Sequence, residues 1–266
     1  VDDILIRPIS DIETLRAVEG LQQRVWGMDD RNVVPTHQLL ASVASGGLVL
    51  GAFAAGGELI GFCYGFIGLR EGRPLLYSQM AGVVEEWRGQ EIGFRLKQAQ
   101  REGALARGLD WMVWTFDPLQ SANAHFNLHK LGAQARRYFV NYYGEMADEL
   151  NSGVDSDRLE VDWHLRLPRV VRRIDPSDAP AALAVAGDHP LPHPAEPMLD
   201  LDAVAVRIGI PSDYPAIRRQ DLGLARAWRA ATRRAFLGYF DRGYEAEDFV
   251  RAAGAAYYLL RLTDAH

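Results

Sequence analysis

Residues 88–93 read Arg88-Gly89-Gln90-Glu91-Ile92-Gly93, and their place between an apolar run and an amphipathic one decides the fold. Upstream, Leu75 to Val84 reads as a strand that leads directly into this turn. Downstream, Ile92, Leu96, Ala99 and Ala106 recur at helical spacing, with Arg95, Lys97, Gln100 and Arg101 on the other side, and the helix closes near Gly108. The first turn of a helix leaves backbone N–H groups without partners, and the helix dipole adds partial positive charge there. Glycine at 89 and 93 lets the backbone approach closely, and Arg88 adds a guanidinium suited to phosphate. The turn reads as an anion site with phosphate as the fitting ligand. A tight turn in which glycine only caps is the bland alternative.

Working outward, Ile4 to Arg7 forms a short strand stopped by Pro8, and Asp11 caps a helix to about Trp26 with Ile12, Leu15, Val18, Leu21 and Val25 on one face. Ser45-Gly46-Gly47 introduces the strand Leu48 to Ala54, Gly56-Gly57 turns a hairpin, and Leu59 to Gly68 returns. After the amphipathic helix, the strand Trp111 to Phe116 stops at Asp117-Pro118. A helix from Ser121 to Leu131, ended by Gly132, precedes strands at Gln134 to Tyr143 and Leu159 to Leu167. Eight of the 13 prolines fall between residues 172 and 215, which reads as a linker and loop-rich region. A strand at Ala203 to Ile210, a helix at Leu222 to Asp241 and a strand at Tyr257 to Leu262 complete the chain. The organisation is thus a first domain over 1–168 and a smaller α/β extension over 169–266, preceded by a Pro-rich linker.

Composition narrows the function. The 266 residues carry a net charge of −6, which argues against a general nucleic-acid binder while leaving room for a local basic patch. A single cysteine, Cys63, excludes an internal disulfide and suits a reducing compartment. No apolar run approaches the roughly 20 residues that span a bilayer. Asp2 and Asp3 do not fit a signal peptide, so a cytoplasmic location is expected, with no membrane or nucleic-acid partner. No metal site is expected.

The 88–93 segment resembles the acyl-CoA-binding motif of the GCN5-related N-acetyltransferase (GNAT) superfamily, Q/R-x-x-G-x-G/A. Arg88 takes the first position, Gly93 the last, and Glu91 stands where that family has glycine. Val83 suits the strand position that pairs with pantetheine, while Glu85 replaces a common proline. Asn123 and Lys130-Leu131-Gly132-Ala133 are similar to the helix after the next strand. Trp114-Thr115-Phe116-Asp117-Pro118-Leu119, Asn141-Tyr142-Tyr143-Gly144 and Trp228-Arg229 through Thr232-Arg233 resemble a bacterial branch of predicted acetyltransferases with a C-terminal extension. The resemblance implies an α/β fold with a mixed, mostly antiparallel central sheet flanked by helices. It implies acetyl-CoA or another acyl-CoA as co-substrate, held by Ala81, Val83, Arg88, Gly89, Gln90, Ile92, Gly93, Phe94 and Asn123. It further implies acyl transfer to the amine of a small molecule, an amino acid being one candidate for acetylation or succinylation. An acyl-CoA-binding sensor without turnover is the alternative, a protein-modifying enzyme needs an open peptide groove, and a homodimer is compatible with either.

Family members pass the acyl group directly to the amine, with backbone N–H groups near Val83 or Val84 as the expected oxyanion donors. The tyrosine that many of them use as general acid aligns with Leu128, so the usual acid is absent. The remaining candidates are Tyr143 and Tyr142 on the following strand, where each side of the sheet takes only one, together with His125 and Asp117. Against these stand an aromatic packing pair, a helix-packing histidine and an Asp-Pro turn. Cys63 reads as a core thiol. In the last helix, Trp228, Thr232, Phe236 and Phe240 share one packing face. Arg226, Arg229, Arg233 and Arg234 lie on neighbouring faces as solvated charges or as contacts for an anionic acceptor.

Overall fold

The structure is a computed structural model that describes residues 4–144, 153–167, 175–187, 191–252 and 254–263. The chain divides into two compact units, Val1–Trp114 with His164–Leu167, and Thr115–Trp163 with Pro168–His266.

The first unit contains β1 (Leu5–Pro8), α1 (Ile12–Trp26), α2 (Thr36–Ala44), β2 (Leu48–Phe53), β3 (Leu59–Arg70), β4 (Arg73–Val83), α3 (Ile92–Ala106) and the start of β5 (Trp111–Phe116). The strands lie in chain order, antiparallel up to β4 and parallel between β4 and β5. α1 starts where the Asp11 carboxylate accepts the Thr14 N–H at 2.8 Å, and it ends at Gly27 in the left-handed region. Its Leu15, Val18 and Leu21 belong to one core with Leu39 of α2, Ile60 and Phe62 of β3, and Ile92 and Leu96 of α3. Every residue of β2 is buried, as in a strand covered on both faces. α2 has no counterpart in the sequence reading. Its N-cap is Pro35 with no side-chain cap, and only Leu39 and Ser42 are buried, so neither a cap nor a periodic stripe announces it.

The second unit holds α4 (Ser121–Ala124), which runs into a π-turn at His125–Lys130, then β6 (Gln134–Phe139), β7 (Arg158–His164), β8 (Ala181–Leu183), β9 (Val185–Ala186), β10 (His193–Pro194) and β11 (Ala205–Pro211). α5 (Tyr214–Gln220), α6 (Leu222–Phe240), β12 (Tyr244–Arg251) and β13 (Ala255–Leu262) follow. Strand order is β7-β6-β12-β13-β11-β8, antiparallel except for β11 with β8, while β9 and β10 pair separately. The mixed, mostly antiparallel sheet agrees with the expected fold class.

Several local readings change. β6 stops at Phe139, so Tyr142 and Tyr143 lie in a turn and not on a strand. The proline-rich stretch carries three short strands and is tied into its unit. The Pro180 carbonyl accepts the Arg207 N–H at 2.9 Å, and that of Pro192 accepts the Trp228 indole N–H at 2.8 Å. Residues 172–174 and Pro190 of that stretch lie outside the described residues. β12 escaped the sequence reading because a register shift between Ala246 and Asp248 breaks its alternation.

One polar cluster sits inside the first unit. The β3–β4 register shifts between Tyr64, opposite Met80, and Phe66, opposite Tyr77, so Ser78 and Gln79 bulge across from Gly65. A side chain at 65 would meet the Tyr77 carbonyl at 2.9 Å and Gln100 Nε2 at 3.0 Å. Ser78 Oγ donates to Gln100 Oε1 at 2.8 Å, Lys97 Nζ donates to Ser78 Oγ at 2.7 Å, and Nζ lies 3.8 Å from the Trp114 ring centroid. Burial pushes the Lys97 ammonium down to about 7 and the Cys63 thiol up to about 12. Cys63 is therefore an inert core thiol.

Between pH 7 and the ordinary lysine range the unfolded chain binds a proton at Lys97 that the folded chain does not, so stability rises with pH across that window. Lys97→Met removes this rise. It also stabilises the protein at pH 7, because Ser78 and Gln100 still satisfy one another when the buried amine is gone. Urea unfolding at pH 7 and pH 9 measures both effects; a variant less stable than wild type at pH 7 would contradict the assignment.

Candidate functional site

In the first unit, β4 passes through a 3-10 turn at Glu85–Trp87 to Arg88, and α3 begins at Ile92. The Val84 N–H donates to the Ile60 carbonyl at 3.0 Å, while Val83 faces Gly61, Gly82 faces Phe62 and Ala81 faces Cys63. Antiparallel pairs alternate between bonded and non-bonded. Val84 and Gly82 are thus the bonded positions, and Ala81 and Val83 turn their N–H and C=O groups to the other edge of β4. On that edge the ladder with β5 covers Leu76 with Met112 and Tyr77 with Val113. Of the two expected oxyanion donors, Val84 is already engaged by Ile60.

Arg88 takes a different posture from the one its sequence position suggests. Its Nε donates to the Val83 carbonyl at 3.1 Å and its Nη2 to that of Val25 at 3.5 Å, so the guanidinium lies along backbone. Gly89 and Glu91 both have positive φ, 81° and 58°. Glu91 therefore has the left-handed conformation of the glycine it replaces in the resembling motif, at a cost of about 1 kcal/mol. It is the N-cap of α3, yet its side chain makes no capping hydrogen bond, and the first helical bond runs from Arg95 N–H to its carbonyl at 2.9 Å. The N–H groups of Ile92, Gly93 and Phe94 consequently have no intrahelical acceptor. A Cβ at Gly89 or Gly93 would meet nothing within 4 Å, so the space beside both glycines is open. Ile92 is buried, while Gln90 and Phe94 are half-buried. The donor set and the space fit a pyrophosphate.

In the second unit, Asp117 is fully committed. Its two oxygens accept from Arg229 Nη1 and Nη2 at 2.7 and 2.8 Å, and Oδ1 also accepts the Leu119 N–H at 2.9 Å. Burial pushes its carboxyl up, but Arg229 and the Leu119 N–H outweigh this and hold it below the ordinary aspartate value. Such a group is a poor general base. Tyr258 Oη donates to the Pro118 carbonyl at 2.6 Å, so the turn after β5 is held at successive residues. His125 stacks on His129 with centroids 4.7 Å apart, and His129 Nδ1 is 2.9 Å from Asp248 Oδ1. Burial and the charge of Arg251 lower the His125 pKa. That is a histidine packed among β12 residues. Asn123 is exposed on α4.

Tyr142 and Tyr143 are displayed on a turn whose backbone is bound tightly. Asp157, 0 % exposed, accepts from Tyr138 Oη at 2.7 Å, the Asn141 N–H at 2.9 Å and Arg233 Nε at 2.9 Å. Ser156 Oγ accepts the Tyr143 N–H at 2.9 Å. Tyr143, 46 % exposed, places its hydroxyl 3.3 Å from Thr115 Oγ1, with the Arg158 guanidinium 5.0 Å from its ring centroid. Tyr142 packs between Phe139 and Tyr143. Sequence reading missed Ser156 and Asp157, which are separated from the tyrosines by a stretch without a motif. The arginines of α6 are also anchored. Arg229 and Arg233 bind Asp117 and Asp157, Arg226 donates to the Gly153 carbonyl at 3.0 Å, and Arg234 pairs with Glu196 at 2.7 Å. Arg226 and Arg234 remain exposed, as a solvated face expects, while Arg229 and Arg233 are held by buried carboxylates.

Among the described residues no helix is long and apolar enough to cross a membrane, and no group of three or more His, Cys, Asp or Glu could hold a metal ion. No protein-family model and no curated protein matches the chain. The solved structures that match the chain include the following three. One is an acetyltransferase of the GNAT family from Streptococcus pneumoniae, at 15% identity and a TM-score of 0.49 over 60% of this chain and 98% of the other. A putative acetyltransferase from Salmonella typhimurium with acetyl-CoA gives 17% identity and 0.48 over 65% and 98%. Naa50 of Arabidopsis thaliana with a bisubstrate analogue gives 16% and 0.47 over 60% and 97%.

Arg229→Ala should leave Asp117 buried without its counter-charge and cost about 3–5 kcal/mol. The pair Arg229→Met with Asp117→Leu should recover most of that loss in urea unfolding. A single variant as stable as wild type would show that the ion pair is dispensable.

Proposed function

We propose that the chain is an acyl-CoA-dependent N-acyltransferase acting on the amine of a small molecule, with residues 1–168 as the acyltransferase domain and 169–266 as its extension. The observation that carries this is the run from the outward-turned backbone of Ala81 and Val83 into the uncapped start of α3. A bound acyl-CoA supplies a thioester-activated acyl group. Ala81 and Val83 pair with the amide-bearing arm of the donor through their backbone groups. The N–H groups from Gly89 to Phe94 take the pyrophosphate, aided by the helix dipole. Arg88 holds the Val83 carbonyl and so fixes the strand end from which the turn springs. Gln90 completes the proposed donor-binding set of the first unit.

For proton transfer we assign Tyr143, whose hydroxyl is exposed beside Thr115 Oγ1, with Tyr142 supporting its ring. Asp117 is left out because Arg229 holds both of its oxygens, and His125 because its ring stacks on His129. A second reading rests on the segment from Ser121 to Gly132, which contains no tyrosine where the resembling family has its acid. It is a binder of acyl-CoA that does not turn over.

Calorimetry should find acetyl-CoA binding with Kd in the micromolar range, and no binding at millimolar ligand would overturn the proposal. Arg88→Glu should weaken binding. Glu91→Gly should tighten it about fivefold, since removing a carboxylate near the pyrophosphate relieves ~1 kcal/mol of repulsion. In a screen of amino acids, polyamines and peptides followed by CoA release, Tyr143→Phe should lower kcat about 100-fold or more with acetyl-CoA binding unchanged. Binding without CoA release for any amine would favour the second reading.

A further inference from the structure

Lys97 is 3 % exposed, and among the described residues the titratable group that acts on it is Cys63 of β3, whose thiol stays protonated. An apolar residue would fill the same space without the desolvation cost of an amine. Its position suggests what the amine does. The β4–β5 ladder covers Leu76 with Met112 and then Tyr77 with Val113. The next residue on each strand is Ser78 on β4 and Trp114 on β5, and Lys97 meets both, with Nζ 2.7 Å from Ser78 Oγ and 3.8 Å from the Trp114 ring centroid. Gln100, one turn along α3, accepts from Ser78 Oγ at 2.8 Å and from Lys97 Nζ at 3.4 Å. Ser78 is also a residue of the β4 bulge. One buried side chain thus ties the bulge to α3 at the place where the parallel ladder stops.

We propose that Lys97 is a positioning residue: a wedge that ends the β4–β5 ladder at Tyr77 and keeps the outward-turned backbone of Ala81 and Val83 available to a ligand. The groups that face it from the packed elements are Cys63 on β3, Ser78 on β4, Trp114 on β5 and Gln100 on its own helix. None of these is a carboxylate that would make Lys97 half of a structural ion pair. The hydrogen bond to Ser78 and the seating of the amine over the Trp114 ring are both directional, so they fix these residues in place where an aliphatic chain would only fill volume. The wedge stands on the ladder geometry alone. That the ligand is an acyl-CoA rests on the reading given under Proposed function.

The test uses the full chain, wild type against Lys97→Met, with Ser78→Ala as a second variant that keeps the amine and removes its anchor. Amide exchange is followed at Ala81 and Val83 and referred to Gly82, whose N–H is bonded to β3 and reports the general stability change. Acetyl-CoA affinity is measured alongside by calorimetry. In Lys97→Met the Ala81 and Val83 amides should become protected by about tenfold or more relative to Gly82 as the ladder extends. Acetyl-CoA binding should weaken by about tenfold in a protein that is no less stable. Ser78→Ala should shift both readouts the same way by a smaller factor. Unchanged exchange ratios at Ala81 and Val83 in both variants would overturn the wedge. If wild type binds no acetyl-CoA, the acyl-donor reading fails, while the exchange ratios still decide the role of Lys97.

Discussion

Two buried carboxylates, Asp117 and Asp157, set the terms for the second unit. Taking a carboxylate out of water costs several kcal/mol unless charge and hydrogen bonds are returned to it. Both are satisfied by α6, from arginines one helical turn apart. Arg229 forks onto Asp117, and Arg233 reaches Asp157 through Nε at 2.9 Å and Nη2 at 2.8 Å. The spacing is the i, i+4 of one helix face, so a single rigid element fixes two segments remote in sequence. One is the turn that leaves β5. The other is the turn that displays Tyr142 and Tyr143. α6 therefore belongs to the framework of both turns, Arg229 fixing the one after β5 and Arg233 the one that carries the tyrosines.

The first unit solves a different problem, the presentation of unpaired backbone donors. A strand edge and a helix start each expose N–H groups that a ligand can use, and in both places the structure withholds the usual internal partner. The N-cap of α3 is a glutamate in left-handed conformation whose carboxylate does not bend back to cap. A serine or aspartate in extended conformation there would have consumed a donor. Because the donors are backbone, the turn tolerates Glu91 in place of glycine. The consequence is about 1 kcal/mol of strain and an unfavourable charge, with the geometry retained.

That difference explains what was legible in sequence. Elements marked by caps or clean periods were read closely: α1 from Asp11 and its apolar face, α3 from its apolar stripe, α6 from its aromatic face. The turn from β4 into α3 was legible because glycine and a strand-to-helix junction are local signals. α2 was silent for want of a cap, and β12 because its bulge shifts the alternation. The roles of individual side chains were mostly illegible, since they depend on partners far away. Asp117 meets Arg229 across 112 residues, and Tyr258 meets Pro118 across 140. No window of sequence contains both members of such a pair.

The same reasoning bears on where a proton donor can sit. Counting back from Gly132 to Leu128 assumes an α-helix, but Leu131 N–H bonds to the Phe126 carbonyl at 3.0 Å, the i to i−5 bond of a π-turn. The extra residue rotates every side chain before it, so the alignment of Leu128 with the family tyrosine is not reliable to one position. The correction does not restore an acid, because residues 121–132 contain no tyrosine in any register. The titratable rings in that segment, His125 and His129, stack on each other, and His129 pairs with Asp248. The π-turn has committed its histidines to β12. Under the proposed function, a proton donor is then sought outside the helix, and the tyrosine turn braced by Asp157 and Ser156 carries an exposed hydroxyl beside Thr115.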